Sequence, residues 1–233
     1  MDGDVRSAVS KSHLRRLPPE VLQDLMQDAV RAKIPAGSVT HGEGEDAPHL
    51  ELVISGIVRA FVTAPDGRTM TIRYCRPGAL LGALSLFTTD FLMPATVQAL
   101  VDAELLRMSP RVASRAAERD ARVARAFLDE LSERALTFIY EIPGSVFTTV
   151  RQRVARHLLD LALERGPGHQ SGQELVAPVS QKELAEAAGT VREVVVRVLR
   201  ELRREGVIRT IRNGIVIVDP ARLTLEQGWN PSS

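Results

Sequence analysis

The sequence of 233 residues contains one cysteine, Cys75. A single thiol closes no internal disulfide and supplies no thiolate set for a four-cysteine zinc site or an iron–sulfur cluster, so the fold must rest on apolar burial, as suits a reducing cytoplasm. No apolar run approaches the ~18 residues that cross a bilayer, and Met1 to Ser12 is polar rather than shaped like a signal peptide. A cytoplasmic protein with no membrane partner is expected. Charge of one sign is lacking too: the net charge is only +1, so any attraction for nucleic acid must be local. Paired metal-binding histidines, a nucleophile–base pair, a P-loop and a dinucleotide fingerprint are all missing, which argues against an enzyme, a metal site or a resident cofactor.

What is present is ordinary globular material, 44% hydrophobic and 25% charged, in a chain long enough for two cores. Pro18-Pro19-Glu20 opens a segment in which Val21, Leu22, Leu25, Met26, Ala29 and Val30 recur at helical spacing, up to Pro35-Ala36-Gly37. From Ser38 to Leu106 short β-branched runs alternate with turn signals at Gly42-Glu43-Gly44, Ser55-Gly56, Pro65-Asp66-Gly67 and Pro77-Gly78. That texture predicts an antiparallel β-barrel, with Ile57 to Thr63 and Thr69 to Tyr74 paired across Asp66-Gly67.

The period becomes helical from Pro110 to about Ile142. Phe127, Leu131, Ala135, Phe138 and Ile142 follow one another as a coiled-coil seam does, which predicts a dimer helix and a homodimer. Pro143-Gly144 is expected to interrupt that helix as a hinge. A further helical run, Val150 to Leu163, stops at Gly166-Pro167-Gly168, and the domain boundary is expected near Ser145 to Thr149. Gly228 to Ser233 reads as a tail.

Val179 to Val218 carries the most information. Ser180 and Glu183 make a capping box that opens a helix from Gln181 to Ala188, stopped by Gly189. Thr190 and Glu193 form a second possible box. The helix after it can bury Val191, Val194, Val195, Val198, Leu199 and Leu202 while presenting Arg192, Glu193, Arg197 and Arg200. Ile208 to Ile211, the Asn213-Gly214 turn and Ile215 to Val218 complete a β-hairpin. Between Gly189 and Gly214 there are seven arginines and three glutamates, a local excess of +4 against +1 for the whole chain. This is the pattern of a winged helix-turn-helix whose partner is double-stranded DNA. Arg192 and Arg197 can pair with guanine O6/N7, and Glu193 can accept from cytosine N4. Ser180, Gln181, Arg200, Arg203, Arg204, Arg209 and Arg212 are candidates for phosphate contacts.

On these residues the chain resembles the cyclic-AMP receptor protein and Fnr (Crp/Fnr) family of bacterial regulators. Ser55-Gly56-Ile57-Val58-Arg59, Pro65-Asp66-Gly67 and Pro77-Gly78-Ala79-Leu80-Leu81-Gly82 stand at that family's barrel turns, and Val191 to Arg197 matches its recognition helix. The resemblance implies an α+β chain made of an N-terminal cyclic-nucleotide-binding-like antiparallel β-barrel (jelly roll), a long dimerisation helix and a C-terminal winged helix-turn-helix. We expect these at residues 1-109, 110-147 and 148-233. It also implies a TGTGA-like inverted repeat, with Val194 leaving the flanking preference open, and contact with RNA polymerase.

The family's cyclic-nucleotide residues do not carry over. Its ribose-binding glutamate, its phosphate-binding Arg-Ser pair and its Thr-Ser on the dimer helix align with Ala83, Met93-Pro94 and Phe138-Ile139. Apolar side chains cannot offset the desolvation of a phosphate, so control by cyclic AMP in the usual mode is not expected, unless a cation such as Arg73 substitutes. Leu81, Ala83, Leu86, Phe87, Met93 and Phe138 are left either as the lining of an apolar effector pocket or as filled core; the effector, if any, is unknown. Some relatives hold haem, for which His41, His49 and His157 would be available ligands. His41, Glu43, Glu45 and His49 could likewise ligate a metal, though a solvated loop is the ordinary reading, and Cys75 reads as a buried, inert thiol.

Overall fold

The computed structural model describes residues 2–46, 49–88, 90–146, 148–162 and 174–226, with side chains left undescribed from 140 to 147. The side chain of Ile142, the Gly166-Pro167-Gly168 stop and the tail from Gly228 therefore lie outside the described residues. The chain divides into two compact units, residues 1–62 with 72–137 and residues 63–71 with 138–233.

The first unit begins with a helix that the polar N-terminus hides. In α1 (Gly3–Ser10) Val5, Ala8 and Val9 share one face and are buried. Ser12 then accepts from the Leu14 amide to start a 3-10 turn, and α2 (Pro19–Met26) opens on its proline, as expected. The helical pattern does not extend to Val30, which begins β1 (Val30–Ile34) with 64% of its surface exposed. The remaining strands of this part are β2 (Val39–His41), β3 (Leu50–Ser55), β4 (Val58–Thr63), β5 (Thr69–Cys75), β6 (Leu80–Leu81), β7 (Thr96–Ala99) and β8 (Ala103–Met108). They form two antiparallel sheets, ordered β1-β8-β3-β6 and β2-β7-β4-β5. The expected Asp66-Gly67 turn joins β4 to β5: Gly67 sits at φ +83 and Ala64 N–H donates to the Arg68 carbonyl at 2.8 Å.

Strand alternation distributes the core. Val53, Leu81 and Leu105 from one sheet meet Val58, Cys75, Val97 and Ala99 from the other, and Cys75 is fully buried there. On the opposite face of the first sheet Leu50, Leu52, Ile54, Leu106 and Met108 pack under the helices, against Leu14, Leu22, Leu25, Val123 and Phe127. Residues 50–54 of β3 are therefore buried on both faces, which is why they read as an apolar run apart from Glu51.

Two helices stand where one was expected after the barrel. α3 (Pro110–Arg119) ends at Asp120, which is extended at φ −131 and ψ 108. The Asp120 carboxylate accepts from the Arg122 amide at 2.9 Å, so an N-cap restarts the chain as α4 (Ala121–Val146). α4 also runs on through Pro143-Gly144 rather than being interrupted there; proline forfeits one amide donor, but it arrives after many helical turns have formed.

The seam residue Phe127 requires a correction. It is fully buried in the first unit's own core and meets Phe87 edge to face at 6.4 Å. The coiled-coil spacing placed it on a partner, but the helix face that carries it is already covered by the barrel's outer layer.

Candidate nucleic-acid interface

In the second unit, α5 (Val150–Ala162) packs against β9 (Leu175–Ala177), α6 (Gln181–Ala187), α7 (Arg192–Arg204), β11 (Gly214–Ile217) and α8 (Pro220–Glu226), and β10 (Ile208–Ile211) joins through α7 and β11. The first capping box forms as expected: Ser180 N–H donates to Glu183 Oε2 at 2.8 Å and Glu183 N–H to Ser180 Oγ at 3.2 Å. The second does not. Gly189 is left-handed at φ +60, its N–H donates to the Glu186 carbonyl, and Thr190 N–H donates to the Ala185 carbonyl at 3.0 Å. That pair of bonds closes the C-terminus of α6. Thr190 is thereby used by the helix before it, and Val191 becomes the N-cap of α7 without a side-chain bond.

The same closure ends α7. Gly206 at φ +73 and Val207 donate to the carbonyls of Arg203 and Leu202. Val195, Val198, Leu199 and Leu202 are buried, whereas Val191, predicted to face the core, is 54% exposed. Arg192, Glu193, Arg197 and Arg200 are exposed, as are Ser180 and Arg212, and Gln181 is half-buried.

The hairpin pairs Ile211 with Gly214, so its two-residue turn is Arg212-Asn213 and not Asn213-Gly214. Gly214 is the first residue of β11, where a Cβ would stand 2.5 Å from the Ala177 carbonyl oxygen. That approach belongs to β9, a third strand paired with β11; at three residues it is too short to leave an alternation in the sequence.

Sequence reading also missed the residue that organises the charges. Arg151 on α5 reaches Glu226 at 2.8 Å, Glu205 at 2.7 Å and Glu201 at 3.5 Å, and Arg222 adds a contact to Glu205 at 3.3 Å. Hydrogen bonds from Arg151 hold the carboxyls of Glu205 and Glu226 below their usual range. Two of the three glutamates between Gly189 and Gly214 are thus neutralised from within the unit. Arg192, Arg197, Arg200 and Arg212 have no carboxylate partner among the described residues. Arg209 differs, because it pairs with Glu174 at 2.7 Å, and Arg203 donates to the Leu199 carbonyl. No sequence signal marks Arg151, since its partners lie 50 to 75 residues away.

His157 is buried on α5, with its pKa pushed down to about 3 by burial first and then by Arg156, against a hydrogen bond with the Ala187 backbone. It is a neutral histidine beneath α6, inaccessible as a haem ligand. Arg153 braces the same helix, donating to the Ala188 carbonyl at 2.9 Å.

The residues expected to line an effector pocket separate. Leu81 and Met93 point between the two sheets, Ala83 and Leu86 belong to the layer under the helices, and Phe87 and Phe138 are 49% and 53% exposed. Of the expected alternatives, filled core describes the first four. His41 is turned inward, with Nδ1 3.5 Å from Glu51 Oε2, and Arg107 Nε donates to Glu51 Oε1 at 2.8 Å. Burial lowers the His41 pKa, against the opposing pull of Glu51. Glu45 accepts from the Gly42 amide at 2.7 Å, and the described residues hold no group of three or more His, Cys, Asp or Glu that could bind a metal ion. No described helix is long and apolar enough to cross a membrane.

Residues 31–120 match the profile of the cyclic nucleotide-binding domain, and residues 152–225 that of the Crp-like helix-turn-helix domain. The chain is 32% identical over 185 residues to the transcriptional regulator LdrP of Thermus thermophilus, covering 79% of this chain and 90% of that protein. It is 33% identical over 210 residues to the cyclic AMP receptor protein of the same organism, covering 90% and 93%. Among solved structures it resembles the c-di-GMP responsive global regulator CLP of Xanthomonas campestris, with a TM-score of 0.72, 26% identity and coverage of 86% and 99%. LdrP is a transcriptional regulator and CLP a global regulator.

Proposed function

Because the chain belongs to the Crp/Fnr family of DNA-binding transcription regulators, we propose that it works as a homodimer in which each subunit reads one half of a TGTGA-like inverted repeat. The observation that carries this reading is the exposed start of α7, where Arg192 and Arg197 flank Glu193 without a carboxylate partner among the described residues. Bidentate arginines select guanine, and the glutamate accepts from cytosine N4. Arg200 and Arg212, with Ser180 and Gln181, hold phosphates and set the register. Residues 1-109 act as the sensor, 110-147 as the coupling helix and 148-233 as the reader, in a cytoplasmic protein that meets RNA polymerase on DNA.

The dimer seam takes Leu128 in place of Phe127. Leu128, Leu131, Ala135, Phe138 and Ile142 then follow at three, four, three and four residues, a regular heptad. Leu128 and Phe138 are each 53% exposed and Ile139 beside them 58%, so this face of α4 has apolar surface to give to a second copy. Leu131, packed in part against the first unit's core, sits at the edge of the seam.

Cyclic AMP does not control this protein in the usual mode, because Ala83 and Met93 are packed into core and offer no hydrogen bond to ribose or phosphate. The test is fluorescence anisotropy on a TGTGA-type palindrome and a scrambled duplex at two salt concentrations, with and without cyclic AMP. Preference for the palindrome without the nucleotide is expected, with affinity falling steeply as salt rises. Binding that requires the nucleotide would overturn the pocket reading; equal binding to both duplexes would overturn the half-site.

A further inference from the structure

Helix α7 begins on a residue that serves it poorly. Val191 is its N-cap, extended at φ −94 and ψ 154, and it gives the first-turn amides no side-chain acceptor. Serine, threonine, aspartate and asparagine are preferred at that place because their oxygens satisfy an amide that the helix itself cannot, and valine is among the poorest choices. α6 shows the contrast, with Ser180 and Glu183 completing a capping box.

Nor does the fold use this valine as core. The turn at Gly189 and Thr190, which closes α6, leaves Val191 outside the cluster that Val195 and Val198 enter. It is 54% exposed, and every other exposed residue of α7 is charged. The side chain therefore gives up a cap, covers little of the interior and stands next to Arg192 and Glu193. A contact made outside the chain accounts for it. Valine offers nothing to a phosphate, which needs a donor. The floor of the major groove presents one apolar group, the 5-methyl of thymine, and the first residues of a recognition helix are those that meet base edges there.

We infer that Val191 reads the 5-methyl group of one thymine in each half-site, setting specificity by apolar contact alone. The inference rests on the reading of α7 as the helix that enters the major groove. It adds an A·T pair to the G·C pairs assigned to Arg192, Glu193 and Arg197, and a TGTGA-like half-site carries such a methyl at every A·T pair. Burying one methyl is worth a factor of about four in affinity, and about fifteen when both half-sites contribute.

The experiment lets the full-length protein select a duplex from a random pool, then replaces each thymine of the selected site by deoxyuridine, which removes the methyl and nothing else. Fluorescence anisotropy should show one position per half-site at which the replacement weakens binding about fourfold. Val191→Ile should keep that sensitivity. Val191→Ser should abolish it while raising the thermal unfolding midpoint of the free protein, because the hydroxyl restores the cap. Sensitivity at no position, or sensitivity unchanged in Val191→Ser, overturns the proposal; so does a lower midpoint in Val191→Ser, which would make the valine a residue of the fold. A selected site unlike TGTGA with a methyl effect corrects the half-site and upholds Val191. A TGTGA-like site without the effect removes Val191 alone, and a pool that yields no preferred sequence overturns both.

Discussion

Replacing Arg192 by alanine separates base reading from simple attraction to phosphate. The side chain is exposed at the start of α7 and engages no carboxylate among the described residues, so its removal breaks no internal bond and should leave the fold intact. The whole loss then falls on the DNA complex. One bidentate arginine–guanine pair is worth about 1–3 kcal/mol, and a dimer on a palindrome uses it twice. The expected loss is about 2–6 kcal/mol, roughly thirty-fold to twenty-thousand-fold in Kd. Fluorescence anisotropy on the TGTGA-type palindrome and on a scrambled duplex measures both sides of the comparison. The scrambled duplex should lose only the small electrostatic share. An equal loss on the two duplexes would refute base reading by Arg192 and leave it as a phosphate contact. Arg209→Ala is the internal contrast: its tie to Glu174 must be given up before DNA can use it, so its removal should cost less than that of Arg212.

Phe138→Asp should split the dimer, and so should Leu128→Asp, as read by molar mass in solution; unchanged mass in both would remove the corrected seam. Phe127→Ala should instead cost about 3–5 kcal/mol of stability through the cavity it leaves, seen as a lower unfolding midpoint, and a monomer of unchanged stability would restore the seam first expected. His157 supplies a pH dependence. Its pKa is about 3 in the fold against 6.5 for an unburied histidine, so the unfolded chain binds the extra proton, and stability present above pH 6.5 is lost as pH falls toward 3. Between pH 7.5 and 5.5 that loss is about 1.4 kcal/mol, and denaturant unfolding of wild type and His157→Gln at both values should differ by that amount; no difference would refute its burial as a neutral group. Glu205 and Glu226, with lowered pKa values, act in the same direction below the usual carboxylate range, and Arg151→Ala should flatten that acid limb.

Much of the architecture is written in local periods. The two-residue alternation of the barrel, the helical period from Pro110, the Ser180–Glu183 box and the spacing of Val195, Val198, Leu199 and Leu202 each depend on neighbours within a few residues, which the chain carries with it. The exposed trio of Arg192, Glu193 and Arg197 was legible for the same reason, because a helix that buries one face must present the other. Where local rules competed, sequence could not arbitrate: Thr190 satisfies the pattern of an N-cap, yet its amide was taken by the closing turn of α6.

What only the tertiary structure decided are the pairings between distant residues. A period of three and four residues cannot say whether Phe127 meets a second copy or its own barrel, since both present an apolar face; packing under the first sheet gave it to the barrel and left Leu128 outside. No local signal joins Arg151 to Glu205 and Glu226, because an ion pair is fixed by where the backbone brings two charges and not by their spacing along the chain. The residues proposed to read DNA follow from the helix that bears them, whereas the ion pairs of Arg151 that occupy the neighbouring glutamates follow from the fold.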